Sequence, residues 1–195
     1  MNKEEFHKGV NDWNNHIPLL WLALEATKTG EVIEMGCGDG STRQLHGYCK
    51  DNNRMLYSFD TDLNWMNKFS DCVSETHKFT HIINHWEVAQ QICPHPSVIL
   101  IDHAPGERRI VDIKNYYDHM EGIMVLHDTQ PPPTGADYGY ERIWKYFKYI
   151  VHLDAGFNPE SPNKDNRTWA SAVSNHYDVT KWRGLTFNNG EYVLK

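Results

Sequence analysis

Three glycines alternate with other residues in the segment EMGCGDGS, residues 34–41, directly after a short apolar stretch. Glycine lets a ligand approach the backbone closely, and a glycine loop that leads into a helix presents free N–H groups. Enzymes that bind dinucleotides favour the spacing G-x-G-x-x-G. Here the third glycine comes one residue early, and the acidic Glu34 precedes the set. The spacing therefore indicates a ligand loop of another kind, with a plain tight turn as the alternative.

Three further apolar stretches end in an acidic residue, namely Asp60, Asp102 and Asp128. A carboxylate at Asp60 could accept hydrogen bonds from both hydroxyls of a ribose, or it could cap the next helix, although Asp62 is the better candidate for that cap. Asp102 and Asp128 could share a divalent cation, and their hard oxygen ligands suit Mg²⁺. The alternative is that Asp102 caps the following turn and Asp128 is a turn residue.

Two histidines adjoin these acids, since His103 follows Asp102 and His127 precedes Asp128. A neutral imidazole accepts a proton near neutral pH. We predict His103 as the general base and His127 as the second candidate. Nearby, Arg108 and Arg109 could pair with an anionic substrate or simply be solvated, and the proline-rich segment that begins at residue 129 is long enough for a lid.

Strand-like and helix-like stretches alternate along the chain, which places these residues. Apolar and β-branched composition predicts five strands, at residues 31–35, 54–60, 79–83, 97–102 and 122–128, and two later strands at 149–155 and 168–175. Helical spacing predicts helices at residues 18–26, from 41 or 42 onward, from 65 to 73, at 86–93, from 110 to 120 and from 140 to 147. Repeated β–α units imply an α/β fold with a parallel sheet and helices on both faces, in which ligands bind beyond the carboxyl ends of the strands.

The glycine loop resembles the first motif of class I S-adenosylmethionine-dependent methyltransferases, E/D-x-G-x-G-x-G/S/T, with Glu34, Gly36, Gly38 and Gly40 at the matching positions. The resemblance implies a Rossmann-like seven-stranded, mostly parallel sheet. One antiparallel strand, TWASAVSN, would lie beside the fifth strand. It also implies an S-adenosylmethionine site in which the acid faces a cation. The implied cofactor contacts are Glu34, Gly36, Cys37, Gly38, Ser41 and Thr42 in the loop, Asp60 and Thr61 at the ribose, His85 and Trp86 at the adenine, Asp102, and His16 at the cofactor carboxylate. A place for Trp86 in the core is the alternative.

The two later acids resemble the metal site of catechol-type and antibiotic- or sugar-modifying O-methyltransferases. The implied metal ligands are Asp102, Asp128 and Thr129, where Thr129 replaces the usual Asn. The lysine base of the catechol-type enzymes is absent, because Pro105 occupies its position. The resemblance implies methyl transfer to a small molecule, with a hydroxyl as the acceptor. Because the family's base is missing, we predict Asp102, His103 and His127 as the catalytic residues from their position at the strand ends.

The bulk composition limits the other possibilities. A chain of 195 residues suits a single domain, residues 1–195, and a net charge of −7 argues against nucleic acid as a partner. The four cysteines show neither a CxxC pair nor zinc spacing, which predicts reduced thiols in a cytoplasmic protein. No stretch is apolar enough to predict a membrane span. The sequence does not predict the oligomeric state.

Three other functions remain as alternatives. An NAD-dependent oxidoreductase would share the sheet and the acid at the second strand, but the glycine spacing is against it. A non-catalytic S-adenosylmethionine-binding module would bind the cofactor without depending on Asp102 or Asp128. A metal-dependent hydrolase would leave the glycine loop without a function. The usual DNA amino-methyltransferase motif, Asp/Asn-Pro-Pro-aromatic, is replaced by Asp-His-Ala-Pro at residues 102–105.

Overall fold

The computed structural model describes residues 1–8, 14–83, 85–130, 138–154, 169–188 and 191–194. Several predicted features fall outside these residues. They are Ala155 and Thr168 at the ends of the two predicted late strands, Asn84 next to the predicted adenine contacts, and residues 131–137 of the predicted lid.

Seven strands form one sheet, as the sequence predicts. They are β1 (Val32–Met35), β2 (Leu56–Asp60), β3 (His77–His81), β4 (Val98–Ile101), β5 (Ile123–His127), β6 (Tyr149–Asp154) and β7 (Trp169–Ser174), in the spatial order β3-β2-β1-β4-β5-β7-β6. Strands β1 to β5 pair in parallel, and β7 runs antiparallel to both β5 and β6. The predicted α/β fold, with one antiparallel strand beside the fifth strand, is confirmed.

Six α-helices accompany the sheet in the described residues. They are α1 (Lys3–Phe6), α2 (Ile17–Thr27), α3 (Thr42–Asp51), α4 (Leu63–Met66), α5 (Glu87–Ile92) and α6 (Arg109–Tyr116). Short 3₁₀ turns cover Asn67–Cys72, Gly106–Arg108, Tyr140–Arg142, Trp144–Tyr146 and Val179–Trp182.

Each face of the sheet has its own apolar layer. Alternate residues of a strand point to opposite faces, so in β4 Val98 and Leu100 pack with α2 and α3, while Ile99 and Ile101 pack with α5 and α6. Side chains in all four of these positions are completely buried. Double coverage explains why this strand is apolar at every position.

Some predicted boundaries were wrong. Strand β3 begins and ends two residues before the predicted 79–83, and Ile83 beyond it is 70 % exposed. The helical pattern from residue 140 forms two 3₁₀ turns instead of one helix, and the helix after β2 gives way to a 3₁₀ turn that ends before Val73. A two-stranded hairpin of β8 (Leu185–Asn188) and β9 (Glu191–Leu194) was not predicted, although Asn-Gly between two short apolar stretches is a strong hairpin signal.

A buried carboxyl fixes the start of the glycine loop. Glu34 in β1 is completely buried, and it accepts hydrogen bonds from Ser41 Oγ (2.6 Å), Thr42 Oγ1 (3.0 Å) and Ser58 Oγ (2.6 Å). These donors lie at the end of the loop, at the start of α3 and in β2. Burial raises the pKa of the Glu34 carboxyl to about 7, although the hydroxyl donors favour its charged form. The side chain therefore ties β1, β2 and α3 together beneath the loop.

A buried guanidinium plays the same part at the opposite, amino edge of the sheet. Arg54, only 3 % exposed, donates to the carbonyls of Gly30 and Leu24 and to Thr27 Oγ1 and Ser97 Oγ, at distances of 2.7–3.2 Å. Its contacts join the end of α2, the turn before β1 and the residue before β4. Arg54 thus gives a donor to four oxygens at this edge, of which the Leu24 carbonyl also accepts from the Lys28 N–H.

All four cysteines are in the thiol form that their spacing predicts. Cys37, Cys49, Cys72 and Cys93 are all free thiols and all buried. None of the helices in the described part of the chain has the length and apolar character that crossing a bilayer requires.

Replacing Arg54 by Met should destabilise the fold, because several buried oxygens lose their donor. We expect the free energy of unfolding to fall by about 1–3 kcal/mol, measured by urea denaturation. Arg142→Met is the matched control, since the Arg142 side chain is 73 % exposed, and its effect should stay within about 0.5 kcal/mol. Equal effects of the two substitutions would contradict the role given to Arg54.

Glu34 should make stability depend on pH in a defined direction. Its pKa is about 7 in the folded protein against 4.5 ordinarily, so between these values the folded state holds a proton that the unfolded state has released. Stability from this group is therefore full below about pH 4.5 and is lost as the pH rises to about 7, with a slope of at most about 1.4 kcal/mol per pH unit.

Urea denaturation across this range should show the difference between the wild type and Glu34→Gln, whose amide does not titrate. The wild type should lose stability relative to the variant as the pH rises. A constant difference between the two proteins would show that Glu34 does not titrate in this range.

Candidate active site

The candidate site residues gather at the carboxyl edge of the sheet, where the parallel strands end. The chain runs from β1 outward to β2 and β3 and then crosses back to β4 on the other side of β1. A topological switch point therefore lies between β1 and β4, the usual ligand position in open α/β sheets. The glycine loop stands on one side of this point, and the ends of β4 and β5 stand on the other.

Gly36 is required by a close approach of these two halves. Its φ is +96°, and a Cβ added there would lie 2.4 Å from the carbonyl oxygen of Asp102. Backbone hydrogen bonds from Gly36 N to Phe59 O and from Asp102 N to Met35 O hold the strand ends in register. No other residue type fits this position, so the first glycine of the motif has a packing role whatever the loop binds.

Asp60 at the end of β2 holds the loop from the other side. Its carboxylate accepts from the backbone N–H of Cys37 and of Asp62, both at 2.8 Å, and Asp62 itself caps α4, as predicted. The indole N–H of Trp65 donates to the Cys37 carbonyl at 2.7 Å. At Gly38 an added Cβ would meet its nearest atom only at 3.6 Å, so the middle of the loop is more open than Gly36.

Six of the predicted cofactor contacts fall into two groups, one at the exposed edge and one beneath the loop. Asp60, Thr61 and His85 retain exposed surface at the edge, and the Thr61 carbonyl accepts from His81 Nε2. The carboxyl of Glu34 and the hydroxyls of Ser41 and Thr42 instead bond to one another under the loop. The second group therefore shapes the loop, and a direct contact between Glu34 and a ligand does not fit its complete burial.

His103, the first candidate for the base, lies in the interior. It is 2 % exposed, its Nε2 is 3.0 Å from Asp112 Oδ2, and its ring stacks on Trp86 with centroids 4.0 Å apart. Trp86 is 4 % exposed, which favours its place in the core over stacking on an adenine. Arg108 completes this group with a bidentate contact to Asp112, in which Nε donates to Oδ2 and Nη2 donates to Oδ1. These contacts do not favour His103 as a base that meets a substrate.

Arg109 is the residue whose role the sequence did not reveal. It is 6 % exposed, and its guanidinium donates to Asp102 Oδ1 (3.0 Å), Asp128 Oδ2 (3.3 Å) and the carbonyls of His103 and His127. The ends of β4 and β5 are therefore clamped by one buried cation. The one signal in the sequence is its position in the first turn of α6, seven residues after the strand-end Asp102.

Asp102 and His127 form a close pair, with Asp102 Oδ1 2.9 Å from His127 Nδ1. Burial alone would raise the pKa of Asp102, but the charges of His127 and Arg109 outweigh it and lower that pKa. Burial would also lower the pKa of His127, but the carboxylates of Asp102 and Asp128 outweigh it and raise that pKa. The pair has the base-and-orienter geometry found in many active sites.

The contacts of the predicted magnesium ligands do not favour a shared ion. The cation between Asp102 and Asp128 is the Arg109 guanidinium. The Thr129 side chain is buried, with its hydroxyl 2.6 Å from Ser171 Oγ in β7. The magnesium site of these three residues stays a prediction.

His16, immediately before α2, joins the pair instead. Its ring is 2 % exposed and lies edge-on to that of His127, with centroids 4.6 Å apart. Burial, with His127 as a second cause, lowers the pKa of His16 to about 3. Ligand atoms of His16, Asp102 and His127 all lie within 4.8 Å of one another.

Comparisons with known proteins agree with the topology. No family model and no curated protein matches the sequence. Several solved structures are similar in fold. The S-adenosylhomocysteine-bound methyltransferase PaMTH1 of Podospora anserina has a TM-score of 0.51 and 12 % identity, over 81 % of this chain and 77 % of that one. Spermidine synthase of Thermotoga maritima has a TM-score of 0.58 and 18 % identity, over 86 % of this chain and 61 % of that one.

The fibrillarin pre-rRNA processing protein of Methanococcus jannaschii has a TM-score of 0.54 and 15 % identity, over 85 % of this chain and 78 % of that one. Identities of this size establish a common fold. The chain has the Rossmann-like fold of class I S-adenosylmethionine-dependent methyltransferases.

Proposed function

We propose that the protein is an enzyme that transfers the methyl group of S-adenosylmethionine to a hydroxyl of a small molecule. The observation that carries this proposal is the juxtaposition, across Gly36, of the anchored glycine loop and the Asp102–His127 pair. The first supplies a place for a nucleoside, and the second supplies polar groups for an acceptor. The remaining predictions, a single domain in the cytoplasm that binds no nucleic acid, are part of the proposal.

The residues around the loop suit the adenosine part of S-adenosylmethionine, and the glycine spacing argues against a dinucleotide. Each carboxylate oxygen of Asp60 accepts one hydrogen bond from a backbone N–H, and each can accept another from a ribose hydroxyl. Leu63 and Ile83, which follow the ends of β2 and β3, are 50 % and 70 % exposed, so both offer apolar surface to an adenine. When bound, the cofactor supplies an electrophilic methyl group on a sulfonium.

The acceptor would lie beside Asp102 and His127. Its hydroxyl oxygen forms the new bond to the methyl carbon as the carbon–sulfur bond breaks, and the electron pair of that bond stays on sulfur. The hydroxyl proton passes to His127 Nε2, which has no hydrogen-bond partner among the described residues, while Nδ1 faces Asp102. Alignment of the two reactants accounts for most of the rate in such a displacement, on the order of 7–11 kcal/mol.

The fold by itself does not choose the group transferred, because a spermidine synthase shares it. The S-adenosylhomocysteine in the similar methyltransferase structure supports the methyl donor. The catechol-type pattern of acids at the ends of β4 and β5 supports a hydroxyl acceptor. A nicotinamide cofactor is the competing ligand, and direct binding separates the two.

Calorimetry should detect binding of S-adenosylhomocysteine and S-adenosylmethionine but not of NAD. Asp60→Asn should weaken that binding about 10- to 150-fold, because a hydrogen bond to a charged group is worth about 1.5–3 kcal/mol. Asp118→Asn is the control, since Asp118 is an exposed residue after α6. Binding of NAD with no binding of either sulfur nucleoside would overturn the proposal.

His127→Asn should separate chemistry from cofactor binding. With labelled S-adenosylmethionine and a panel of catechols, simple phenols and sugars, the turnover of any accepted substrate should fall about 10²- to 10⁴-fold. Affinity for S-adenosylhomocysteine should stay unchanged, and the exposed His119→Asn should behave as wild type. Full turnover in the His127 variant would show that His127 takes no part in the reaction.

A further inference from the structure

We propose that His16, Asp102 and His127 form a binding site for one divalent transition-metal ion, such as Zn²⁺. This site differs from the oxygen-only magnesium set predicted at the same edge. Its catalytic meaning rests on the proposed methyl transfer, but the binding itself does not.

The three groups converge from separate parts of the fold. His16 precedes α2, Asp102 follows β4, and His127 ends β5. One ligand atom from each lies within 4.8 Å of the others. Zinc holds nitrogen and oxygen ligands at about 2.0–2.2 Å, so its ligand atoms lie roughly 3–4 Å apart. Small rotations of the side chains would bring the three atoms to this separation.

Unpartnered buried nitrogens give an independent reason to expect a ligand. Neither ring nitrogen of His16 has a hydrogen-bond partner among the described residues, and the same is true of His127 Nε2. Leaving a buried polar atom unsatisfied costs about 1–3 kcal/mol. An ion bound by a His16 nitrogen would satisfy that atom, and it would take the place of the hydrogen bond between His127 Nδ1 and Asp102.

The donor set selects the class of metal. Two nitrogens and one carboxylate suit zinc and its neighbours in the first transition row, whereas Mg²⁺ takes oxygen ligands and keeps several waters. Asp128 and Arg109 stand in the surrounding shell, and Arg109 fixes Asp102 by a hydrogen bond to Oδ1. The carboxylates of Asp102 and Asp128 against the Arg109 guanidinium leave one negative charge among these three groups, which would attract the ion.

The open side of the site faces the proposed acceptor. The side chain of Asp102 is 26 % exposed, while that of His127 is 9 % exposed. A three-residue site leaves a coordination position for an outside ligand. An acceptor hydroxyl in that position would lose its proton to solvent more readily, because the ion lowers its pKa.

The test uses the full chain made without a polyhistidine tag and stripped with a chelator. We expect one equivalent of Zn²⁺ or Co²⁺ to bind, measured by elemental analysis after desalting and by the ligand-field spectrum of bound Co²⁺. His16→Asn and His127→Asn, which lie on different elements, should each abolish stoichiometric binding. His119→Asn should retain it, and Arg109→Lys should weaken it about 10- to 100-fold.

Three results would overturn the site: no stoichiometric uptake, uptake unchanged in His16→Asn, or displacement of the ion by equimolar Mg²⁺. The cobalt spectrum of the wild type reports nitrogen ligands even if a variant folds poorly. Calorimetry with S-adenosylhomocysteine on the metal-free protein keeps the two proposals apart. Nucleoside binding without metal uptake overturns the metal site alone, and metal uptake without nucleoside binding overturns the methyl-transfer proposal alone.

Discussion

One buried cation, Arg109, sets the geometry on which the reactive side of this molecule depends. Without it, Asp102 and Asp128 would be two carboxylates at neighbouring strand ends with like charges and little water. Its guanidinium neutralises part of that charge and also binds the backbone of both strand ends. Asp102 is therefore held in place, and the position of His127 follows from it. A planar group with five donors can do this, and a lysine in its place could not.

Glu34 holds the glycine loop in place in a similar way. Its buried carboxyl accepts hydrogen bonds from three hydroxyls, one each in the loop, α3 and β2, and so joins these three segments. The two halves meet at Gly36, whose α-carbon faces the Asp102 backbone. In the proposed methyl transfer, this contact would link the donor and acceptor positions, which suits a reaction that depends on alignment.

The sequence predicted the sheet because apolar runs and helical spacing alternate clearly, and each strand of β1 to β5 ends in or near a polar residue. It also placed Asp60, Asp102 and Asp128 at one edge, since the carboxyl ends of parallel strands share an edge. It did not predict the partners of these acids. Arg109 is adjacent to Arg108 in the chain, yet one is buried between strand ends and the other reaches Asp112 and Glu87. Which of the two arginines is buried depends on how α6 packs against the sheet. The order of residues in the sequence does not determine that packing.

The same limit explains the histidines. His103 and His127 look equivalent in the sequence, each next to a strand-end acid, but stacking on Trp86 and contact with Asp112 draw the first into the core. His16 precedes His127 by 111 residues in the chain, and only the packing of α2 brings the two rings together. Contacts between distant segments are set by tertiary structure, not by local pattern.

The four cysteines carry a practical consequence. Burial raises the pKa of the Cys49 thiol to about 12 and raises those of Cys37, Cys72 and Cys93 as well. Because the thiolate is the reactive species, alkylating reagents should meet almost no nucleophile while the chain is folded. The modification rate would then report the population of opened molecules, so these residues serve as built-in probes of conformational opening.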